Sequence, residues 1–151
     1  MSNSLAKLIA TFFYLGYFPF ASGSFASIFG AALALFLSRV PVVYVMVFLI
    51  ITVLGFYAGG RVEKMVEEKD PSCVVIDEVS GSFIAFFMLP TTPSVAISAF
   101  FLFRAFDMFK IYPANKFEEL KGGTGIMMDD IVAGIYTNLV MQIAVRLAGL
   151  A

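Results

Sequence analysis

Hydrophobic and charged positions are segregated along this chain rather than alternating. Between Leu8 and Gly60 the single charged residue is Arg39, Val79–Phe103 carries none, and Ile131–Ala151 carries only Arg146. Nearly all other charges fall in two blocks, Arg61–Glu78 and Arg104–Asp130. Uncharged runs joined by charged islands are what a bilayer imposes, because unpaired charge in hydrocarbon is expensive. Val42–Gly60 gives 19 uncharged, mostly apolar residues, close to the ~20 a helix needs to cross about 30 Å of hydrocarbon.

Upstream, Gly16, Pro19 and Ala21-Ser22-Gly23-Ser24 punctuate the apolar stretch Leu8–Ser38. The pattern predicts a short first helix, a Ser/Gly loop, and a helix over about Phe25–Ser38. Ser38-Arg39-Val40-Pro41 then turns the chain, with Pro41 opening the next helix, where its missing donor costs little. Pro90-Thr91-Thr92-Pro93 divides Val79–Phe103 into legs of about a dozen residues, each too short to cross a bilayer. A short helical hairpin and one kinked, tilted helix both satisfy this pattern. The hairpin would bring the carboxylates before it and the charges after it to the same side. Ile131–Ala151 predicts a last long helix, with Arg146 able to snorkel.

Sidedness follows from these segments. With the Arg39 turn on one face, the Ser22–Ser24 loop and both charged blocks lie on the other. With Lys7 counted, that face holds eight of the ten Lys and Arg residues and is predicted to be cytoplasmic. The predicted fold is all-α, a compact multi-helix bundle forming one domain over residues 1–151, either embedded in a membrane or dipping into it. Lys7, the apolar run after it and Ala21-Ser22-Gly23 have the outline of a secretory signal. Gly16, Tyr17 and Pro19 within that run, and the membrane-like remainder, favour a retained helix.

Composition agrees. Hydrophobic residues make up 60% and charged residues 14%, with a net charge of -1, and mean hydropathy is +0.93. Soluble domains average about 45–50% apolar and about 25% charged. Disorder is excluded by the abundance of apolar surface, and nucleic acid as a partner by the lack of a strongly basic face. There is no histidine, so imidazole bases, Ser-His-Asp triads and histidine-ligated metals are excluded. The one cysteine, Cys73, makes neither an internal disulfide nor a Cys-rich zinc site. No arginine follows it within ten residues to grip phosphate, so it reads as a small apolar residue.

The remaining chemistry lies at the edges of apolar segments. Asp77-Glu78 and Asp129-Asp130 are alike: adjacent acids, with Gly81 four residues after Asp77 and Gly134 four after Asp130. On helices each acid shares a face with its glycine, where a neighbouring helix can approach closely. Two such helices can gather four carboxylates. Their all-oxygen ligands suit Mg²⁺ or Mn²⁺. The structural alternative is that acids at helix starts merely favour the dipole, at ~0.3–1 kcal/mol each. The second pair, with Asp107, tips the reading towards a metal site.

Arg104, Asp107 and Lys110 follow at i+3 spacing, either as a neutral ladder or as a ligand flanked by two phosphate contacts. The phenylalanines around them (Phe100, Phe101, Phe103, Phe106, Phe109) read as core or lipid-facing residues. Gly122-Gly123-Thr124-Gly125 is a donor-rich loop ahead of a helix, where the amides of Gly123 and Gly125 could bind an oxyanion. It lacks the Lys-Ser/Thr of a Walker loop. Ser22-Gly23-Ser24 is a weaker loop of the same kind. The charge run over Glu63–Asp70 reads as a solvated helix face.

Three motifs stand in order: Asp-Glu-x-x-Gly at Asp77–Gly81, Phe-Arg-x-x-Asp-x-x-Lys at Phe103–Lys110, and Gly-Gly-x-Gly-Ile-Met-x-Asp-Asp-x-x-Ala-Gly at Gly122–Gly134. Together, from about Leu15 onwards, the chain resembles the phosphatidylglycerophosphatase A family of bacteria. It departs from that family's pattern at Ser22-Gly23-Ser24-Phe25-Ala26-Ser27, where Pro-Gly-Thr-x-Gly-Ser is usual, and at Ile111-Tyr112-Pro113, where Pro-x-Pro is usual. Ser24 keeps a hydroxyl in the place of the threonine.

The resemblance implies a mostly helical, Mg²⁺-dependent lipid phosphatase of the bacterial inner (cytoplasmic) membrane, its site facing the cytoplasm and its substrate a phospholipid of the bilayer. It would convert phosphatidylglycerophosphate to phosphatidylglycerol and phosphate. Mg²⁺ would be held by a subset of Asp77, Glu78, Asp107, Asp129 and Asp130. Ser24, Arg104, Lys110 and Lys121 would face the phosphate. Attack by water and passage through an aspartyl phosphate both remain open. The acid-phosphatase-like lipid phosphatases need histidine, the haloacid-dehalogenase type needs Asp-x-Asp, and the CDP-alcohol phosphotransferases need Asp-Gly-x-x-Ala-Arg; all are absent. The reading from another class, a cation transporter using the same carboxylates, predicts acids near the bilayer midplane.

Overall fold

The computed structural model describes residues 1–117 and 119–149. These form helices α1 (Asn3–Ala10), α2 (Ser22–Leu37), α3 (Pro41–Val66), α4 (Ile76–Phe86), α5 (Pro93–Phe109), the single turn α6 (Ala114–Phe117) and α7 (Gly123–Leu147), with a 3-10 turn at Leu15–Tyr17. No strand occurs among the described residues. Local chemistry sets the boundaries. The Ser2 hydroxyl caps α1 by accepting from the Leu5 amide at 3.3 Å. Pro41 and Pro93 open α3 and α5. Glu67 and Lys110, in the left-handed region, close α3 and α5.

α3 (26 residues, mean hydropathy 2.4) and α7 (25 residues, 1.2) are long and apolar enough to cross a membrane. Val42, Leu49, Val53 and Tyr57 on α3 are all more than half exposed, an apolar surface fit for lipid. At 11 residues α4 is only about 16 Å long, too short to cross. It forms the predicted hairpin with α5, turning through residues 87–92 with Met88 left-handed. Carbonyls at the end of α4 lack helical partners, and hydrocarbon offers no water to replace them. Side chains of α7 supply them instead. Asn138 Nδ2 donates to the carbonyls of Phe87 (2.7 Å) and Ala85 (3.2 Å), and Gln142 Nε2 to that of Met88 (3.1 Å).

The main core lies among α2, α4, α5 and α7, centred on Phe83 and Phe103. A smaller one joins α1 and α3 to the starts of α4 and α7 through Ala6, Ala58, Val62 and Met127. α4 meets α7 glycine to glycine: a Cβ on Gly81 would stand 2.7 Å from the Asp130 carbonyl oxygen, and one on Gly134 would strike the carbonyl of Gly81.

Several predicted boundaries shift. Ser22–Ser24 is the first turn of α2 and not a loop. The last helix starts eight residues earlier than Ile131, at Gly123; its predicted end at Ala151 lies outside the described residues. Of the phenylalanines, Phe103 is fully buried while Phe101 and Phe109 are exposed.

Candidate active site

One end of the bundle gathers the start of α2, the loop after α3, the start of α4, the end of α5 and the second turn of α7. Together they enclose a pocket of about 680 Å³ lined by both polar and apolar groups. Asp77, Glu78, Arg104, Asp107, Lys110, Asp129 and Asp130 all line it, as do Ser22, Gly23 and Ser24. Thus the hairpin does what its spacing predicts, returning Arg104–Lys110 to the carboxylates of α4.

The carboxylates divide into two sets. Oxygens of Asp77, Glu78 and Asp130 lie within 4.8 Å of one another, a spacing suited to one cation. Each of the three also has a buried oxygen without a hydrogen-bond partner: Asp77 Oδ1, Glu78 Oε2 and Asp130 Oδ2. Like charges this close and this dry are costly unless something neutralises them. Burial, then the neighbouring Glu78 and Asp130, push the Asp77 carboxyl well above the usual range. Burial also raises Glu78, to about 7, against the opposing pull of Asp77 and Arg104.

Asp107 and Asp129 instead hold cations. Asp107 pairs with Arg104 at 2.5 Å, one helical turn away on α5, and Asp129 pairs with Lys110 at 2.9 Å. Arg104 Nη1 also donates to the Ser27 hydroxyl at 3.3 Å. Its Nε is buried without a partner. The first turn of α2, Ser22 to Ser24, lines the same pocket with no side chain capping the helix. A helix N-terminus so placed favours an anion. A Cβ on Gly23 would force the Glu78 carboxylate to shift.

Three predicted residues are not brought to this pocket: Lys121, Gly123 and Gly125. Lys121 is exposed outside it. The Gly122 amide donates to both Glu63 oxygens, at 3.0 and 3.1 Å. Gly123 lies against α3, where a Cβ on it would strike the Phe56 carbonyl and one on Gly60 would stand 2.6 Å from the Gly123 nitrogen. Gly125 is buried in the first turn of α7. Gly60 and Gly123 let α7 press against α3, away from the acidic pocket. The nearby cavity of about 640 Å³, lined by Leu54, Tyr57, Arg61, Lys64 and Gly122 among others, has no carboxylate among its described lining residues.

Sequence reasoning overlooked Asp70, Ser72 and Ser27. Asp70 and Ser72 line the pocket, and the charge of Asp70 acts on Asp77. Lys64 and Glu67 do form a solvated face, so Asp70 differs from the rest of its run. Its signal is position: it precedes Pro71 in the loop leading straight into Asp77.

These helices and this pocket define a membrane-associated helical protein with a clustered acidic–basic site at one end. The family model described as Phosphatidylglycerophosphatase A matches residues 8–145, and the chain belongs to that family. It is 35% identical over 143 residues to Phosphatidylglycerophosphatase A of Haemophilus influenzae, covering 89% of this chain and 85% of the relative. To the Escherichia coli K12 protein of the same name it is 33% identical over 138 residues, covering 89% and 80%. It is 37% identical over 149 residues, 93% of each chain, to a Bacteroides thetaiotaomicron protein described as "Putative phosphatidylinositol-3-phosphatase". No solved structure matches.

Proposed function

We propose that this protein hydrolyses the phosphomonoester of phosphatidylglycerophosphate to give phosphatidylglycerol and phosphate, assisted by Mg²⁺, at the cytoplasmic face of a bacterial inner membrane. The observation that carries the reading is the pairing, in one pocket, of three mutually close carboxylates with Arg104, Lys110 and the start of α2. One half suits a hard cation and the other a phosphate. Family membership supplies the lipid.

Asp77, Glu78 and Asp130 would hold Mg²⁺, and their partnerless buried oxygens fit that role. When bound, the ion neutralises phosphate charge and acidifies water. Arg104 and Lys110 bind the phosphoryl oxygens and offset the charge that spreads over them in the transition state. Asp107 and Asp129 hold those two cations in place. The phosphorus–glycerol oxygen bond breaks as the phosphoryl group passes to water, directly or through an aspartyl phosphate. The water's proton passes to a pocket carboxylate, Asp107 or Asp129, and on to the departing glycerol oxygen. Transport is disfavoured, since the acids sit in the first turn of α4, the second turn of α7 and the last turn of α5, beside cations that repel a passing ion.

A substrate panel tests the reading. Detergent-purified protein should release phosphate from phosphatidylglycerophosphate faster than from phosphatidylinositol 3-phosphate. The reverse order would assign the lipid named for the Bacteroides relative, and release from neither would refute lipid phosphatase activity.

A further inference from the structure

We propose that the lipid-facing groove between α2 and α5 receives one acyl chain of the phosphomonoester lipid whose headgroup enters the acidic pocket. This rests on the function proposed above and adds how the lipid is seated.

The groove, about 270 Å³, runs between Ile28, Ala32 and Leu35 on α2 and Ala96, Ile97 and Phe101 on α5, with Phe86 of α4 at its floor. Helical spacing joins it to the pocket. On α2, Ser24 lines the pocket, and Ile28, Ala32 and Leu35 follow it on the same face at steps of four, four and three. On α5, Met108 and Arg104 line the pocket, and Phe101 and Ile97 precede them at steps of three and four. The two helices that flank the mouth therefore also wall the trough leading away from it.

Depth fits a lipid. Ser24 to Leu35 spans about 16 Å along α2, roughly half of the ~30 Å hydrocarbon thickness and so the depth of one leaflet. The walls open outwards, with Ile28, Ile97 and Phe101 about half exposed or more. Alanines at positions 31, 32 and 96 leave room where larger side chains would close the trough. The other apolar cavity, at Tyr44, Phe48 and Phe87, lies at the end of α3 and α4 remote from the acids. A chain seated there could not present its own headgroup to the pocket. Because hydrocarbon surrounds the chain whether bound or free, the groove acts through shape and packing, not through the hydrophobic effect. Its consequence is register: a seated chain fixes how far the phosphate reaches into the pocket.

The test fills the groove from an exposed position. For Ala32→Phe, phosphate release is measured from dioleoyl and from dihexanoyl phosphatidylglycerophosphate in the same detergent. The ratio of kcat/KM, dioleoyl over dihexanoyl, should fall about tenfold relative to the unsubstituted protein, as expected for a mismatch in an apolar pocket. Val45→Phe, in the other cavity, should leave the ratio alone. An unchanged ratio in Ala32→Phe would overturn the proposal, whether both rates hold or both fall together.

If the unsubstituted protein hydrolyses neither lipid, the proposed function fails and a second measurement decides the groove. Phosphatidic acid carrying a photoreactive acyl chain should label peptides from Ser22–Leu37 and Pro93–Phe109. Labelling confined to other helices would overturn the proposal.

Discussion

Gly81→Ala is the most informative single perturbation, because one methyl group separates packing from chemistry. Its Cβ would stand 2.7 Å from the Asp130 carbonyl oxygen and 2.7 and 2.8 Å from the Phe103 ring. Ordinary contact is about 3.5–4.0 Å, so α4 and α7 must separate by roughly 1 Å. Neither obstacle is a flexible side-chain end: one is backbone and the other a fully buried ring. Overpacking of this kind costs about 1–3 kcal/mol. Asp77 lies one helical turn before Gly81 and the obstructing carbonyl belongs to Asp130, so the displacement falls on the carboxylate trio itself. A misplacement of about 1 Å can cost on the order of 100-fold in rate. The assay is phosphate release from phosphatidylglycerophosphate, with thermal unfolding measured in the same detergent. Gly59→Ala is the control, since its Cβ would meet Ile126 at 3.6 Å, an ordinary contact. Full activity and unchanged unfolding in Gly81→Ala would refute the claim that glycine-to-glycine packing sets the site.

Four further outcomes follow from the same geometry. Asp130→Asn should lower kcat by at least about 100-fold while membrane insertion, read by carbonate extraction, is retained. Lys121→Ala should keep activity within about twofold in the phosphate-release assay, because Lys121 lies outside the pocket. Mg²⁺ at about 100 times its dissociation constant should stabilise the protein by about 2.7 kcal/mol, seen as a higher unfolding temperature that Asp77→Asn removes. Asn138→Leu takes the side-chain donor from the Ala85 carbonyl and leaves the Phe87 carbonyl with Gln142 alone, and should cost about 1–3 kcal/mol in detergent unfolding.

Much of the fold was legible in the sequence because the bilayer writes it in charge. Arg39, Arg61–Glu78 and Arg104–Asp130 mark where helices leave hydrocarbon, and Pro41, Pro90 and Pro93 mark where they turn. The approach of α4 to α7 was visible in Gly81 and Gly134, each four residues after an acid on one helical face. What local pattern could not reveal was the partner each glycine meets. Gly23 and Gly123 each precede a hydroxyl residue at the start of a helix, yet one faces the Glu78 carboxylate and the other the Phe56 backbone. Tertiary contact alone makes the first a candidate anion site and the second a packing surface. Asp70 escaped for a similar reason. It ends a run in which Lys64, Glu67, Glu68 and Lys69 are exposed, and only the loop into α4 brings it to the pocket.

The central claim is a carboxylate-held cation beside a phosphate-binding pair of cations, acting on a lipid phosphomonoester. Phosphate release from phosphatidylglycerophosphate, measured with Mg²⁺, then with excess chelator, then with Mg²⁺ restored, tests it most directly. The account predicts release that the chelator abolishes and Mg²⁺ restores. Release that continues undiminished in chelator would contradict the assigned role of Asp77, Glu78 and Asp130.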